Sequence, residues 1–413
     1  MPVKRPFALA AAAAFIIVSA LQAQDSGLTL DKALETALAR NPEVLAAQTR
    51  VDAARGRTLQ LKSRPEPQIL ASVEGLPIPS LKKEGDEAEV HLGIEQVFEY
   101  PGKRSLRAEI GRQGEDLAVA ELDRVRLLLA ARVKKTYWTA AFAGGAAEAL
   151  EHSSTRLDAL LEDLQAKYRT GAAAYADVLR ARAEKARLRN QILEPAKEKR
   201  TAELELDELL GQAPGEPIVL LTALPFVPLE ADTAALTERA RATLPSFKAS
   251  SLRAERAAAA AKLAGLDRYP DFLAGFLLPS LRPNAWGVSF GLTMPFLRPG
   301  RTKGEAMEAG AEVAASRLAA EALDRHVRTA IESAFAAAKA AEAQVLVYEQ
   351  SLLKELEDEL GIQLEYFRYG KVEALSLLDL HRTYVLAQVE HLRALLLYNL
   401  ALADLEIAGE RTD

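Results

Sequence analysis

One feature constrains this chain more than any other: it is written twice. Asn41-Pro42 stands 25 residues before Pro67, and Leu244-Pro245 stands 25 residues before Pro270. Pro101-Gly102-Lys103-Arg104 is answered by Pro299-Gly300-Arg301, 198 residues on. Gly171 is answered by Gly370 after 199 residues, and Leu210-Gly211 by Ala408-Gly409 after 198. Four markers in constant order at near-constant spacing mean one unit used twice. The repeats are read as 24–211 and 231–413, joined by a linker at 212–230.

Each half predicts a helix, a hairpin of strands, a very long helix, a tight tip and a returning helix. The first helix is expected from Leu30 to about Arg64, with Thr29 or Asp31 as N-cap and Pro65 and Pro67 ending it. The long helices are expected from about Arg104 to Tyr168 and from about Glu305 to Tyr369, each about 65 residues or about 100 Å. The tips are Lys167-Tyr-Arg-Thr-Gly171 and Tyr366-Phe-Arg-Tyr-Gly370, where a glycine takes the positive φ that ends a helix. Leu353, Leu356, Leu360, Leu364 and Phe367 alternate steps of three and four, as do Val385, Val389, Leu392, Leu396, Leu400, Ala403 and Ile407. That spacing is a coiled-coil seam with a shallow crossing angle.

Four strands are expected, at about 68–75, 89–98, 271–279 and 285–296. Phe272, Ala274, Phe276 and Leu278 share one face of the third. Trp286, Val288, Phe290, Leu292, Met294 and Phe296 share one face of the fourth, opposite Gly287, Ser289, Gly291 and Thr293. Ile69, Ala71 and Val73, then Val90, Leu92, Ile94 and Phe98, repeat the pattern in the first half, with Gln96 breaking the apolar side. Strands of about 9–11 residues with one apolar and one polar or small face fit a transmembrane β-barrel with a wet lumen. A half-buried soluble sheet shows the same alternation. Four strands cannot close a barrel, so the barrel reading requires several copies.

Composition removes most other classes. The chain has 413 residues and a net charge of −6, with both signs interspersed, which argues against nucleic-acid binding. It has no cysteine, hence no disulfide, thiolate metal site or cysteine nucleophile. No pair among His91, His152, His326, His381 and His391 has the helical spacing of a metal site, and no serine, histidine and acid grouping suggests catalysis. No cofactor and no resident metal are expected. Lys4 and Arg5 before the apolar run Phe7–Ala20 read as a signal peptide over 1–23. The best later apolar segment, Val219–Leu229, is too short to span a bilayer and carries Pro225 and Pro228.

With the repeat in view, the chain resembles the TolC family of outer-membrane efflux proteins. The resemblance covers nearly the whole chain after residue 23. It rests on the duplication, on Leu-Ala-Arg-Asn-Pro-Glu at 38–43, on the Tyr-Arg-Thr-Gly tip and on Leu-Leu-Gly at 209–211. It implies a mainly α fold with a transmembrane β-barrel, a homotrimer with a 12-stranded barrel and a 12-helix α-barrel. It also implies contact with outer-membrane lipid, a periplasmic membrane-fusion adaptor and an inner-membrane pump of the RND type as partners. The expected function is an exit duct with no catalysis of its own. A polypeptide or multidrug duct of the same fold and a soluble periplasmic coiled-coil scaffold are the alternatives. Glu95-Gln-Val-Phe-Glu-Tyr-Pro-Gly-Lys-Arg-Ser-Leu-Arg107 resembles the heavy-metal branch of CzcC and CusC type, many of whose members carry a lipidated N-terminal cysteine that this chain lacks.

The same resemblance nominates residues. Asp379 and Asp177 match positions near the periplasmic entrance, where three copies of Asp379 would form an acidic ring that favours cations. Asp177 is equally explained as first-turn helix chemistry. The family's polar latch is altered: Phe367 stands for a tyrosine, Val372 for an arginine, and Ser376 and Ala176 for acids, so Phe367 and Val372 are expected to close the tip by packing. The tips at Gly171, Gly370, Arg169 and Arg368 are the expected adaptor-docking site. Arg180, Arg182, Lys185, Arg187 and Arg189 either assist docking or form a solvated face. Phe272, Phe276, Trp286 and Phe290 are expected to face lipid.

Overall fold

The computed structural model describes residues 27–74, 89–215, 218–278, 286–297 and 299–408. The leader at 1–23, the turn expected at 279–283 and Gly409 of the last repeat marker lie outside them. In chain order the elements are α1 (Leu30–Arg40), α2 (Pro42–Lys62), β1 (Gln68–Glu74), β2 (Glu89–Phe98), α3 (Lys103–Arg169) and α4 (Tyr175–Leu209). Then come α5 (Thr233–Thr243), α6 (Pro245–Leu266), β3 (Phe272–Leu277), β4 (Gly287–Leu292), α7 (Pro299–Val347), α8 (Leu353–Arg368) and α9 (Ala374–Glu406). Two compact units divide these residues, and each draws on both sequence repeats. Proximity in space therefore does not follow the 24–211 and 231–413 division.

The unit formed by Glu43–Val125 and Thr237–Thr329 holds the sheet. Its four strands are antiparallel in the order β1-β2-β3-β4. The register aligns Ile69, Ile94, Phe276 and Val288 in one row across all four strands. Residues two apart return to the same face, so that face also carries Ala71, Leu92, Phe98, Phe272, Phe290 and Leu292. The other face carries the rows Gln68, Glu95, Gly275, Ser289 and Leu70, Gly93, Leu277, Gly287. Bulky and small side chains alternate there: Leu277 lies over Gly93, where an added Cβ would come within 2.8 Å of it.

β4 is shorter than the expected 285–296. Thr293 turns its N–H to Asp271 O (2.9 Å), Pro295 has no N–H to give, and Pro295–Leu297 forms a 3-10 turn. Among the helices of this unit, Thr58 Oγ1 donates to Gly111 O (2.9 Å), and Arg104 and Arg107 donate to Lys62 O and Ser63 O, carbonyls that the end of α2 leaves open.

The other unit comprises Met1–Pro42, Arg126–Leu236 and Ala330–Ala408. Its main core is a leucine seam. Leu150, Leu157, Leu161 and Leu164 of α3 pack with Val178, Ala181 and Leu188 of α4, Phe367 of α8, and Leu377, Leu378 and Val385 of α9. The expected seams at 353–367 and 385–407 are buried or half-buried throughout.

Two expected helices are interrupted. The first stops at Arg40 because Asn41, preceding a proline, is extended (ψ 129°). The second long helix begins earlier, at Pro299, where a proline suits a first helical position, and widens into a π-turn at Tyr348–Leu352. Leu353 N–H there reaches back to Tyr348 O.

Two sequence markers meet in this unit. Asn41 Nδ2 donates to Leu209 O (3.0 Å), and Gly211 (φ 69°) lies against the Arg40 carbonyl. The linker is also held. Leu28 and Leu220 form a parallel bridge, and Tyr137 Oη ties Leu28 O to Thr222 N. Further along, Tyr398 Oη and Asn399 Nδ2 donate to Val227 O (2.5 Å) and Pro225 O (2.9 Å), while Lys339 Nζ donates to Leu229 O (2.6 Å).

Gly211→Ala is expected to cost more than Gly171→Ala. Both pay about 1–2 kcal/mol for a left-handed non-glycine residue. At 211 the new Cβ also falls 2.8 Å from Arg40 O, whereas nothing lies within 4 Å at 171. Thermal unfolding of the detergent-solubilised variants measures the difference.

Candidate pore entrance and its supporting joints

Both helical tips are built the same way. At the end of α3, Ala172 N–H bonds Lys167 O (2.8 Å) and Gly171 N–H bonds Tyr168 O (3.0 Å), with Gly171 at φ 77°. At the end of α8, Lys371 N–H bonds Tyr366 O (2.9 Å) and Gly370 N–H bonds Phe367 O (3.0 Å), with Gly370 at φ 74°. This is the Schellman closure, which satisfies the last carbonyls and needs a residue free of Cβ strain. The two ends lie side by side: Lys167 Nζ donates to Phe367 O and sits 4.1 Å from the centre of the Phe367 ring.

The nominated side chains have different surroundings. Asp379 is 63% exposed and pairs with Arg382 at 3.7 Å. Ser376 is exposed, with Oγ 3.5 Å from Gln363 Oε1. Asp177 is half-buried, pairs with Arg180 (3.3 Å) and directs its own N–H to Ala174 O, which is first-turn chemistry. Val372 is half-buried. Phe367 is only 4% exposed and belongs to the core of its own protomer, under Lys167. Its role as a packing surface at the closed tip is therefore set against a position filled from within. Arg169 and Arg368 are exposed. The first bonds Gln165 O (3.4 Å) and the second pairs with Glu365 (2.7 Å).

A buried polar cluster behind the tip escaped sequence reasoning. Glu184 of α4 is buried and accepts two bonds from Arg382 of α9, at 2.6 and 3.3 Å. These are equivalent positions, 198 residues apart, so a sequence signal existed in the repeat register. Beside them His381 is buried, with neither ring nitrogen in a well-formed hydrogen bond. Burial pushes its pKa below the ordinary 6.5. Arg156 adds to that fall, while Glu184 and the Ser153 backbone oppose it.

The sheet has its own candidate surfaces. Ile69 is 85% and Phe290 83% exposed, and Phe272, Phe276 and Trp286 on the same face are exposed too, with Phe276 stacked on Trp286. Gln96, the polar interruption, spends its amide on Pro65 O (2.8 Å) and Val97 O (2.9 Å). Just beyond β2, Tyr100-Pro101-Gly102-Lys103 makes a turn closed by Lys103 N to Tyr100 O (3.1 Å), with Gly102 at φ 99°. Lys103, with 7% of its side chain exposed, pairs with Asp271 (2.9 Å) and Asp267 (3.5 Å) and donates to Tyr269 O. Tyr100 stacks on Tyr269 at 4.6 Å. The Pro-Gly-Lys-Arg motif is thus a joint between α3 and the start of β3. Among the described residues no group of three or more His, Asp or Glu is placed to hold a metal ion, and no helix is long and apolar enough to cross a membrane.

The chain combines an antiparallel sheet that exposes an aromatic face with long helices that recur in both sequence repeats. Residues 33–212 match the model of the outer membrane efflux protein family. That match spans 180 of the 413 residues, a little under half of the chain. No curated protein matches it. Its fold is that of solved outer-membrane channels. It is similar to the outer-membrane channel OprN (TM-score 0.78, 17% identity, 92% of this chain and 90% of that one). It is similar to CusC (0.76, 18%, 92% and 91%) and to the CmeC outer membrane channel of Campylobacter jejuni (0.76, 15%, 92% and 85%). The chain therefore shares with them a mostly helical fold carrying a few strands.

Two outcomes are expected of these joints. Lys103→Met leaves Asp271 without its counter-ion, held by the Tyr100 N–H alone (2.8 Å) at a partly shielded position, and lowers stability by about 2 kcal/mol, below the 3–5 of a fully buried pair. A double-mutant cycle with Asp271→Asn returns most of that loss as coupling. For His381, the folded state holds fewer protons than the unfolded state between the lowered pKa and 6.5. Stability is then complete above about pH 6.5 and falls as pH drops toward the folded value. Melting between pH 7.5 and 5 is expected to show that fall, and His381→Gln to lessen it.

Proposed function

We propose that this chain is an outer membrane efflux protein, the exit duct of a tripartite efflux system, working as a homotrimer whose twelve strands close one barrel. The observation that carries the reading is the sheet: an exposed apolar face, interrupted only by Gln96, on one side, and polar and small residues interspersed with leucines on the other. The apolar face, with Phe272, Phe276, Trp286 and Phe290, meets lipid. The opposite face, with Ser72, His91, Glu95 and Ser289, lines the lumen. Such a protein conducts passively, and an inner-membrane pump of the RND type supplies the energy. A periplasmic adaptor docks at the tips around Gly171, Gly370, Arg169 and Arg368.

Asp379 supplies the selectivity of the entrance in this reading, with Asp177, Ser376 and Val372 near it and Phe367 holding the tip from inside. Its carboxylate is exposed and only loosely paired, which leaves charge available to a passing ion. A threefold ring of such groups concentrates cations and repels anions. Cations, heavy-metal ions included, are then the favoured cargo. The Gly102-Lys103 match to the metal branch adds nothing on cargo, since both residues are used in the joint with Asp271.

The test is conductance of the reconstituted protein in planar bilayers. Asp379→Asn is expected to reduce cation over anion preference several-fold, and Asp379→Lys to reverse it. Unchanged selectivity in both would remove Asp379 from the entrance. A protein that stays soluble without detergent and inserts in no bilayer would overturn the duct itself.

A further inference from the structure

The tip-bearing unit carries two further exposed seams, in which Tyr175 touches Tyr168 and Tyr366 lies near Lys371, each a close neighbour in sequence. On α4, Tyr175, Leu179, Arg182, Ala186, Arg189 and Leu193 are exposed and follow steps of four, three, four, three and four. They lie one position, about 100°, around the helix from the core residues Val178, Ala181 and Leu188. On α8 and its C-cap Tyr369, the residues Glu355, Asp358, Ile362, Tyr366 and Tyr369 are exposed in steps of three, four, four and three, facing away from Leu353, Leu356, Leu360 and Leu364. A three-four stripe is what one helix offers another in a coiled coil. Three residues in each stripe are large and apolar or aromatic: Tyr175, Leu179 and Leu193, and Ile362, Tyr366 and Tyr369.

The charges are complementary. Arg182 and Arg189 form no ion pair or hydrogen bond among the described residues, and neither do Glu355 and Asp358. α4 packs on α3 and α9, through Asp158 with Lys185 and Glu184 with Arg382; α8 packs on α9 and α3. Among the described residues no hydrogen bond, ion pair or ring contact joins α4 to α8 directly. The heights agree too, because Lys167 and Phe367 fix the two tips at one level. Arg189 is 14 residues, about 21 Å, from the start of α4, and Glu355 is 13 residues, about 20 Å, from the end of α8. Leu179 and Ile362 stand about 6 and 9 Å from the same ends.

In a closed ring of identical copies, one flank of each copy must meet the other flank of the next. We infer that the α4 seam of one protomer packs on the α8 seam of the next. Tyr175, Leu179 and Ile362, Tyr366 give the dry part near the tip. Arg182 and Arg189 pair with Asp358 and Glu355 above it. This interprotomer charge ladder holds the entrance closed, in place of the polar latch that Phe367, Val372 and Ser376 replace. The inference rests on the proposed homotrimer and adds the surface that closes it.

Because the chain has no cysteine, introduced thiols report one contact each. The full-length variant Arg189→Cys with Glu355→Cys, oxidised in membranes, is expected to give disulfide-linked dimers and trimers, and each single variant none. Arg182→Glu with Arg189→Glu is expected to raise single-channel conductance several-fold, and Glu355→Arg with Asp358→Arg added to it to bring conductance back. Native mass measurement of the same samples separates the two levels. Trimers without cross-links or rescue overturn the seam and leave its faces to another partner, such as the adaptor. Absence of trimers overturns both the seam and the duct reading on which it rests.

Discussion

The structure turns on the backbone groups at the edges of its sheet. β1 and β4 each pair on one side only, and the sheet they bound exposes an apolar aromatic face. In a bilayer no water satisfies an edge N–H or C=O, so spanning strands must close on themselves. Four strands are too few for that. On the proposed reading, the missing partners of these edges are other copies of the chain. The exposed stripes on α4 and α8 pose the same question a second time, in side chains rather than backbone. Arg182 and Arg189 on α4 and Asp358 and Glu355 on α8 answer it in the same way.

Local chemistry was legible where one residue type alone suits a conformation. Gly171 and Gly370 were identifiable as tips because positive φ there excludes most other residues, and the three-four spacing of Leu353 to Phe367 fixed which side of α8 is buried. The strand faces were legible from period two, up to the point where Pro295 and the Thr293 bond to Asp271 end β4 early. Contacts across great sequence distance were not. Tyr398, Asn399 and Lys339 hold the linker at Val227, Pro225 and Leu229 from more than 100 residues away, and nothing local marks them. The π-turn at Tyr348–Leu352 has an ordinary helical sequence. Phe367 illustrates a different gap: an aromatic residue at a tip looks available to a neighbour until Lys167 is seen lying over it.

The duplication also proves uneven in a way that separates scaffold from specialised parts. Asn41 holds Leu209 O in the first repeat, whereas Leu244 at the matching place has no such group to offer. Gly102 turns at φ 99° ahead of a buried lysine, while Gly300 lies inside α7 and Arg301 is an exposed partner of Glu305. The tips themselves are conserved between halves in every backbone bond. Helix closure is thus the shared element, and the joints and the widened turn are where each half has its own task.

The most direct measurement of the central claim is an electron cryomicroscopy reconstruction of the protein extracted in detergent. The account expects three copies around one axis, with β1 of each hydrogen-bonded to β4 of the next and the face bearing Ile69, Phe276 and Phe290 turned outward into the detergent belt. A well-ordered single protomer whose β1 and β4 edges remain open, or a ring with those side chains turned inward, would contradict it.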